Sequence, residues 1–271
     1  MKDIFKFSEQ PKFENASLVV GWRADAGNLG PKVIEYLSRK IKAKSFCEIE
    51  PADFFPFGGV AIENDAAQFP ECRFYYGEMN DVLVFMGSEP QFERYKFLNA
   101  VLDLAEHYCS TRELYTVNGT ISPIAHTSPR RILAVFNQQE FQSKLRDLGL
   151  EDMNWRGPPA ISSYLLWIAK RRDIPGVSLW TEVPFYLAAC DDFQAIKTTF
   201  SFLATKFELG SAFGELDDQI KQQNAKMAQL REEEPTINKY IGMLESGVSL
   251  GGDEQMELTR EATKFLEKGD L

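Results

Sequence analysis

The chain has 271 residues, of which 44% are hydrophobic and 26% are charged, a composition typical of a globular protein. Its formal net charge of −10 argues against nucleic-acid binding, which needs a basic surface that the sequence does not show. The cysteines form no Cys-x-x-Cys pair, the N-terminal segment has no apolar signal region, and no apolar run reaches the roughly 20 residues that cross a bilayer, so we expect a cytoplasmic protein without a membrane part.

The segment up to residue 108 alternates apolar runs with helical patterns. Strands are predicted over residues 17–22, 60–62, 72–78 and 81–87. The first strand leads into a helix that has Pro31 in its first turn. Met79 and Asn80 predict a hairpin turn between the last two strands, and a second helix is predicted from Phe92 to Tyr108.

The segment from 113 to 184 continues this alternation. It contains predicted strands over 113–119, 131–137 and 176–184, a helix that ends at Gly149, and a helix over 159–172. The last helix carries apolar residues around much of its circumference, Tyr164 and Trp167 among them, so we expect it to be covered on most sides. Because strands and helices alternate, we predict a three-layer α/β/α sandwich with a mainly parallel central sheet.

After Pro184 the pattern becomes entirely helical. One apolar seam recurs at spacings of three and four residues, at Phe193, Ile196, Phe200, Leu203 and Phe207. Such a seam is typical of a helix that packs on its own core, and the alternative is an oligomer contact or a partner surface. Two more helices are predicted before residue 246, and a Gly/Ser loop precedes a last, partly polar helix.

The stretch "GWRADAGNLG" at 21–30 lies between the first strand and its helix. Its glycines lack the Lys-Ser or Lys-Thr of a Walker A loop, and their spacing of six and three does not match the dinucleotide fingerprint. A helix N-terminus beside Asn28 can still bind an anion, although Asp25 would repel one unless Arg23 pairs with it. We favour a tight glycine corner over a phosphate site.

No coherent catalytic set emerges from the sequence. "GVSLG" at 247–251 matches the nucleophile-elbow pattern, but a helical pattern precedes it and no histidine follows Ser249. His107 and Cys109 are two residues apart on a helix and point to different faces. No metal-binding motif is present, and no cofactor is expected.

The loop after the strand at 113–119 carries the most polar group of side chains. It joins two strands that we interpret as parallel, so it can lie at the carboxyl edge of the sheet, where α/β proteins place ligand sites. Its polar residues are Asn118, Thr120, His126, Thr127 and Arg130. A loop histidine is nevertheless more often a hydrogen-bonded structural residue than a catalyst.

Several motifs, taken in order, resemble those of the proteasome-assembly-chaperone family. They are Asp53-Phe54-Phe55 after an acidic segment, Gly87-x-Glu89-Pro90 after a strand, His126-Thr127-x-Pro129 in a loop, and Glu182-Val183-Pro184 before an acidic turn and a long helix. The resemblance covers roughly 15–245. It implies a phosphorylase/hydrolase-like α/β/α sandwich at 1–184, helices at 185–246 packed on the same domain, and a C-terminal loop and helix at 247–271.

The resemblance also implies a function. Family members usually self-associate, and those that dock on proteasome α-rings often end in a hydrophobic-Tyr-any motif, whereas this chain ends Lys-Gly-Asp-Leu and would need another surface. Our first hypothesis is therefore a non-catalytic interaction protein that forms a homo-oligomer in the cytoplasm. Its expected partners are proteasome subunits or a related paralogue, with no nucleic acid and no membrane.

Two alternatives stay open. The first is a small-molecule binding protein or enzyme of phosphorylase/hydrolase-like fold, acting on a nucleoside- or phosphate-like ligand. Its site would consist of Arg23, Asn28, Asn118, Thr120 and His126. The second is a purely structural oligomer that has no client protein.

Overall fold

The computed structural model describes residues 4–56, 61–63, 66–68, 70–77, 81–154, 158–210 and 213–267. Its strands are β1 (Phe5–Phe7), β2 (Ser17–Trp22), β3 (Lys44–Ile49), β4 (Ala61–Glu63), β5 (Ala66–Gln68), β6 (Cys72–Tyr76), β7 (Val82–Gly87), β8 (Glu113–Ser122), β9 (Ile132–Phe136), β10 (Leu150–Asp152) and β11 (Gly176–Pro184). Its helices are α1 (Leu29–Lys40), α2 (Arg94–Cys109), α3 (Gln139–Leu145), α4 (Ile161–Arg171), α5 (Phe193–Lys206), α6 (Gly214–Glu233), α7 (Pro235–Glu245) and α8 (Gly252–Glu267).

The main sheet has nine strands in the order β1-β3-β6-β7-β2-β8-β11-β9-β10. The four central strands, β7, β2, β8 and β11, are parallel. The flanks are not: β6 is antiparallel to β7, and β9 is antiparallel to β11. The predicted α/β sandwich is confirmed, and its parallel part is the centre of a mixed sheet.

The loop that carries His126 joins β8 to β9, and we interpreted these two strands as parallel. This interpretation is wrong, because β8 is parallel to β11 whereas β9 is antiparallel to it. The connection is a short loop without a crossover helix, and a parallel return normally requires such a crossover. The predicted hairpin turn at Met79 and Asn80 lies outside the described residues, as does Val60 of the strand predicted at 60–62.

Alternate residues of the central strands enter two separate apolar layers. Leu18 and Val20 of β2 pack in the layer that contains α2 and α4. Val19 lies in the other layer, with buried residues of α1, α3 and α5–α8. The helices therefore cover both faces of the sheet, as the alternation of strands and helices predicts.

The apolar seam of α5 lies in this second layer. Ile196 and Leu203 are fully buried there, and the ring of Phe200 contacts that of Tyr36 on α1 at a centroid distance of 6.0 Å. The helices that follow contribute to the same layer, with Met227 of α6 and Ile241 of α7 fully buried. These contacts support the proposal that 185–246 belongs to the same domain as the sandwich.

This packing makes a stability prediction for α5. Leu203→Ala leaves a cavity between α5 and the sheet, so we expect the free energy of unfolding to fall by about 2–5 kcal/mol. Thr205→Ala, on the exposed side of the same helix, is the matched control and should change it by less than about 0.5 kcal/mol. Urea unfolding followed by circular dichroism measures both, and a loss below about 1 kcal/mol for Leu203→Ala would contradict the core position.

Candidate functional site

The corner between β2 and α1 is built around the carboxylate of Asp25. Its oxygens accept hydrogen bonds from the backbone N–H groups of Ala26 at 3.0 Å, Gly30 at 2.8 Å and Gly119 at 2.9 Å. Gly30 lies in the first turn of α1, where an incoming phosphate would seek its donors. The chain therefore supplies its own anion to this N–H group of the helix N-terminus.

Two different constraints explain the glycines at 119 and 27: a close approach of two backbone segments at Gly119 and a left-handed backbone conformation at Gly27. A Cβ atom on Gly119 would lie 2.3 Å from the carbonyl oxygen of Ala26, closer than atoms can approach. Gly27 has φ of +66°, in the left-handed region that favours glycine. This is the geometry of a tight corner, and the part played by Gly119 was not foreseen because it lies far away in the sequence.

The Asp25 carboxyl group is largely removed from water. Burial is the main cause that raises its pKa to about 7, the Glu89 carboxylate contributes in the same direction, and the three N–H donors act in the opposite direction. Arg23, the cation that we considered as its partner, forms its ion pair with Glu71 instead. The backbone N–H groups thus favour the ionised form of Asp25, and burial outweighs them.

The other predicted site residues lie in separate surroundings. The side chain of Asn28 donates to Asp191 at 2.7 Å and lines a groove of about 440 Å³ beside α6 and α8. Thr120 is half-buried in β8. Arg23 is exposed beside Glu71, near the ends of β2 and β7.

Asn118 is buried beneath the N-terminus of α4. Its amide nitrogen donates to Ser178 Oγ at 3.0 Å and to the carbonyl of Leu179 at 3.1 Å. Its amide oxygen accepts from Ser162 Oγ at 2.6 Å, and Ser162 in turn accepts from the indole nitrogen of Trp22 at 3.0 Å. These bonds tie β2, β8, β11 and α4 together.

His126 is buried among structural partners. Its backbone N–H donates to the hydroxyl of Tyr186 at 2.5 Å, and the same hydroxyl lies 2.9 Å from its Nδ1. Arg130, four residues on, forms a fully buried ion pair with Asp192 at 2.8 Å. Burial, together with Arg231 and Arg130, lowers the pKa of His126 to about 4, so its ring is neutral at pH 7. Of the five predicted residues, Arg23, Asn28, Asn118 and His126 therefore each bond to a different group.

A crevice between α2 and α4 was not foreseen. It has a volume of about 470 Å³ and lies beside the segment that follows β7. Three half-exposed aromatic side chains line it: Tyr95 at 55%, Tyr164 at 50% and Trp167 at 48% exposure. The rings of Tyr95 and Trp167 are in contact, with centroids 6.1 Å apart.

This arrangement corrects the expectation that α4 would be covered on most sides. Leu165, Ile168 and Ala169 are buried against the sheet and α2, whereas Tyr164 and Trp167 face outward three residues apart on one side of the helix. The residue types could have indicated this outward position. Tyr and Trp combine an apolar ring with a polar tip, and such side chains are enriched at protein interfaces.

Two other kinds of site find no support in the described part of the chain. No group of three His, Cys, Asp or Glu residues there is arranged to hold a metal ion. Burial raises the pKa of the Cys47, Cys72 and Cys109 thiols to about 12, which keeps them protonated and unreactive. None of the helices in these residues is both long enough and apolar enough to span a bilayer.

The sequence matches the model of the PAC2 family over residues 18–231. No curated protein matches it. Among solved structures, a protein of unknown function from Corynebacterium glutamicum is 19% identical with a TM-score of 0.78, and the match covers 90% of this chain and 96% of that one.

Two further solved structures carry functional descriptions. PbaB from Pyrococcus furiosus, an archaeal proteasome activator, is 23% identical with a TM-score of 0.69, and the match covers 84% of this chain and 98% of that one. The proteasome-assembly chaperone homologue Rv2125 from Mycobacterium tuberculosis is 17% identical with a TM-score of 0.71, covering 83% and 99%. At these identities the likenesses show a common fold.

The corner makes a prediction about Gly119. In Gly119→Ala the new methyl group meets the Ala26 carbonyl, so the backbone must shift and the bond to Asp25 is strained. We expect a loss of at least about 2 kcal/mol in the free energy of unfolding. Gly242→Ala is the matched control, because a methyl group there meets open space on α7, and it should stabilise by up to about 1 kcal/mol. Equal effects of the two variants in urea unfolding would refute the close approach.

The buried histidine makes a prediction about pH. Because the pKa of His126 is about 4 in the folded chain and about 6.5 when unfolded, the unfolded state takes up the proton first as the pH falls. This residue's contribution to stability should therefore fall by about 3 kcal/mol between pH 6.5 and 4. The difference between wild type and His126→Gln, measured by urea unfolding at each pH, isolates this effect, and parallel pH profiles would rule it out.

Proposed function

This chain belongs to the PAC2 family, and we propose that it is a non-catalytic interaction protein that self-associates and binds protein partners through the aromatic face of α2 and α4. We define the aromatic face by Tyr95, Tyr164 and Trp167, which line the crevice. All three side chains are about half exposed, although α2 and α4 pack against each other and against the sheet. This exposed cluster is the observation that carries the proposal.

The residue types on the aromatic face are those that protein interfaces favour. Tyr, Trp and Phe are enriched at interfaces, and Tyr and Trp dominate their binding energy, because large rings bury much area at little cost in conformational entropy. The rigid support of two packed helices lowers that cost further. A partner that covers these rings gains burial that the isolated chain does not provide.

The relatives suggest what the partner is. PbaB is a proteasome activator and Rv2125 a proteasome-assembly chaperone homologue, so we propose proteasome subunits or a related paralogue as partners, in the cytoplasm. Binding at the side of the sandwich would not require a C-terminal tyrosine motif.

The alternative of a nucleoside- or phosphate-like ligand has weaker support. Four of the residues proposed for it, Arg23, Asn28, Asn118 and His126, each bond to a different group. An N–H donor in the first turn of α1 is used by Asp25. Such a ligand would have to displace the carboxylate or bind elsewhere.

Sedimentation velocity of the purified chain tests the proposal, alone and mixed with proteasome α-type subunits from the same host. The double variant Tyr164→Ser with Trp167→Ser should weaken association at least about tenfold, because it removes two exposed rings from the contact. Met256→Ser, which replaces an even more exposed apolar residue on α8 across the sheet, is the control and should leave association unchanged. Circular dichroism checks that both variants are folded.

Two results would contradict the proposal. In the first, the wild-type chain sediments as a monomer with and without the subunits; in the second, its complexes survive loss of both rings. In the second case binding would occur on another surface.

A further inference from the structure

The crevice beside the aromatic face has an apolar floor and a charged end. Leu98 and Ile161, both buried, line it together with the aromatic rings. Glu89, two residues after β7, lines it too, so a carboxylate faces the same space as the rings. The volume of about 470 Å³ lies within the range of pockets that take a small ligand or a partner side chain.

The Glu89 carboxylate is incompletely neutralised. Within the described ranges no cationic side chain lies within 4.0 Å of it. Arg94 also lines the crevice, but its Nε donates to the carbonyl of Pro90 at 3.1 Å. Glu89 as a whole is exposed, and the partial burial of its carboxyl group raises its pKa against the lowering effect of Arg94.

A second carboxylate adds to the negative potential at this end. Asp25, at the corner described above, lies close enough for Glu89 to raise its pKa, and its own partners are neutral N–H groups. A cation that reached Glu89 would therefore relieve repulsion between the two acids as well as replace lost hydration.

The aromatic walls favour the same ligand. A cation over the face of a tryptophan or tyrosine ring is attracted by the electron density of the ring. Trp167 already binds one in this way, because the guanidinium of Arg171 lies 4.9 Å from its ring centroid. The rings of Tyr95 and Tyr164 offer further half-exposed surface to an apolar stem.

We propose that this crevice binds the lysine or arginine side chain of a partner protein, with the stem against the aromatic rings and the cationic head at Glu89. The proposal rests on the proposed function and names the chemistry of the partner that the aromatic face recognises. A single basic side chain satisfies both the apolar walls and the carboxylate, which an apolar or acidic side chain would not.

Butylguanidinium, which reproduces the arginine side chain, is the probe. Titration into the ¹⁵N-labelled chain should shift the amide signals of residues 89–98 and 160–167 in a saturable way, with a millimolar dissociation constant. Glu89→Gln should weaken binding about tenfold, since it removes the charge that the guanidinium meets. Glu93→Gln is the matched control, an exposed acid four residues away that does not line the crevice, and should alter binding less than about twofold.

Pentanoate, an anion with a similar stem, tests the opposite polarity. If pentanoate binds more tightly than butylguanidinium, Arg94 and the α4 N-terminus dominate the crevice and the proposal is wrong. If butylguanidinium binds Glu89→Gln with the same affinity as the wild type, the proposal is wrong as well.

Sedimentation of Glu89→Gln with the partner subunits separates this proposal from the proposed function. If Glu89→Gln weakens the complex about tenfold relative to the wild type, the result supports both this proposal and the proposed function. If the ring variants abolish the complex but Glu89→Gln does not affect it, the aromatic face is the docking surface and the proposal of a basic side chain is wrong. If no variant affects the complex, both proposals are wrong.

Discussion

The carboxylate of Asp25 accepts backbone hydrogen bonds from the corner after β2, from the first turn of α1 and from β8, and the carboxyl edge of the sheet is organised by these bonds. An anion with neutral donors on three sides is stabilised without a counter-ion, but only where the backbone segments approach closely. Gly119 permits that approach to Ala26. The edge where a phosphate would enter is thus bonded to the chain itself, and the open crevice lies between α2 and α4, on the face of the sheet that these helices cover.

Much of the fold was predictable because its central strands are buried on both faces. β2 and β7 are nearly continuous apolar runs, β8 and β11 are mostly buried strands with polar residues among the apolar ones, and helical patterns separate most of the four. The three-residue strands β1 and β10 were missed because edge strands of that length carry too few residues for a pattern. β3 was missed because its pattern is mixed, and the direction of β9 cannot be read from its own residues, since it depends on a neighbour that follows some 40 positions later.

The candidate site was less predictable, because its contacts are non-local. The spacing of the glycines argued against a phosphate loop, but the pairing of Asp25 with Gly119, which joins residues 94 positions apart, could not be predicted. The outward position of Tyr164 and Trp167 depends on where α2 lies, and an apolar pattern on α4 alone cannot report whether a neighbour covers it. A sequence shows that a ring is apolar, whereas its exposure is decided by the rest of the chain.

The loop motif that carries the family resemblance serves packing here. Arg130 and Asp192 are fully buried, and Asp192 also caps α5 by accepting from the N–H of Ala195 at 3.1 Å. His126 donates its backbone N–H to Tyr186, so the loop after β8 and the segment before α5 are joined twice. Buried charges of this kind are costly to break and fix one arrangement of the segments that they join. The polar residues of this loop thus fix the position of the long helix, and the partner chemistry that we propose rests on the exposed rings and Glu89, which no catalytic motif marks.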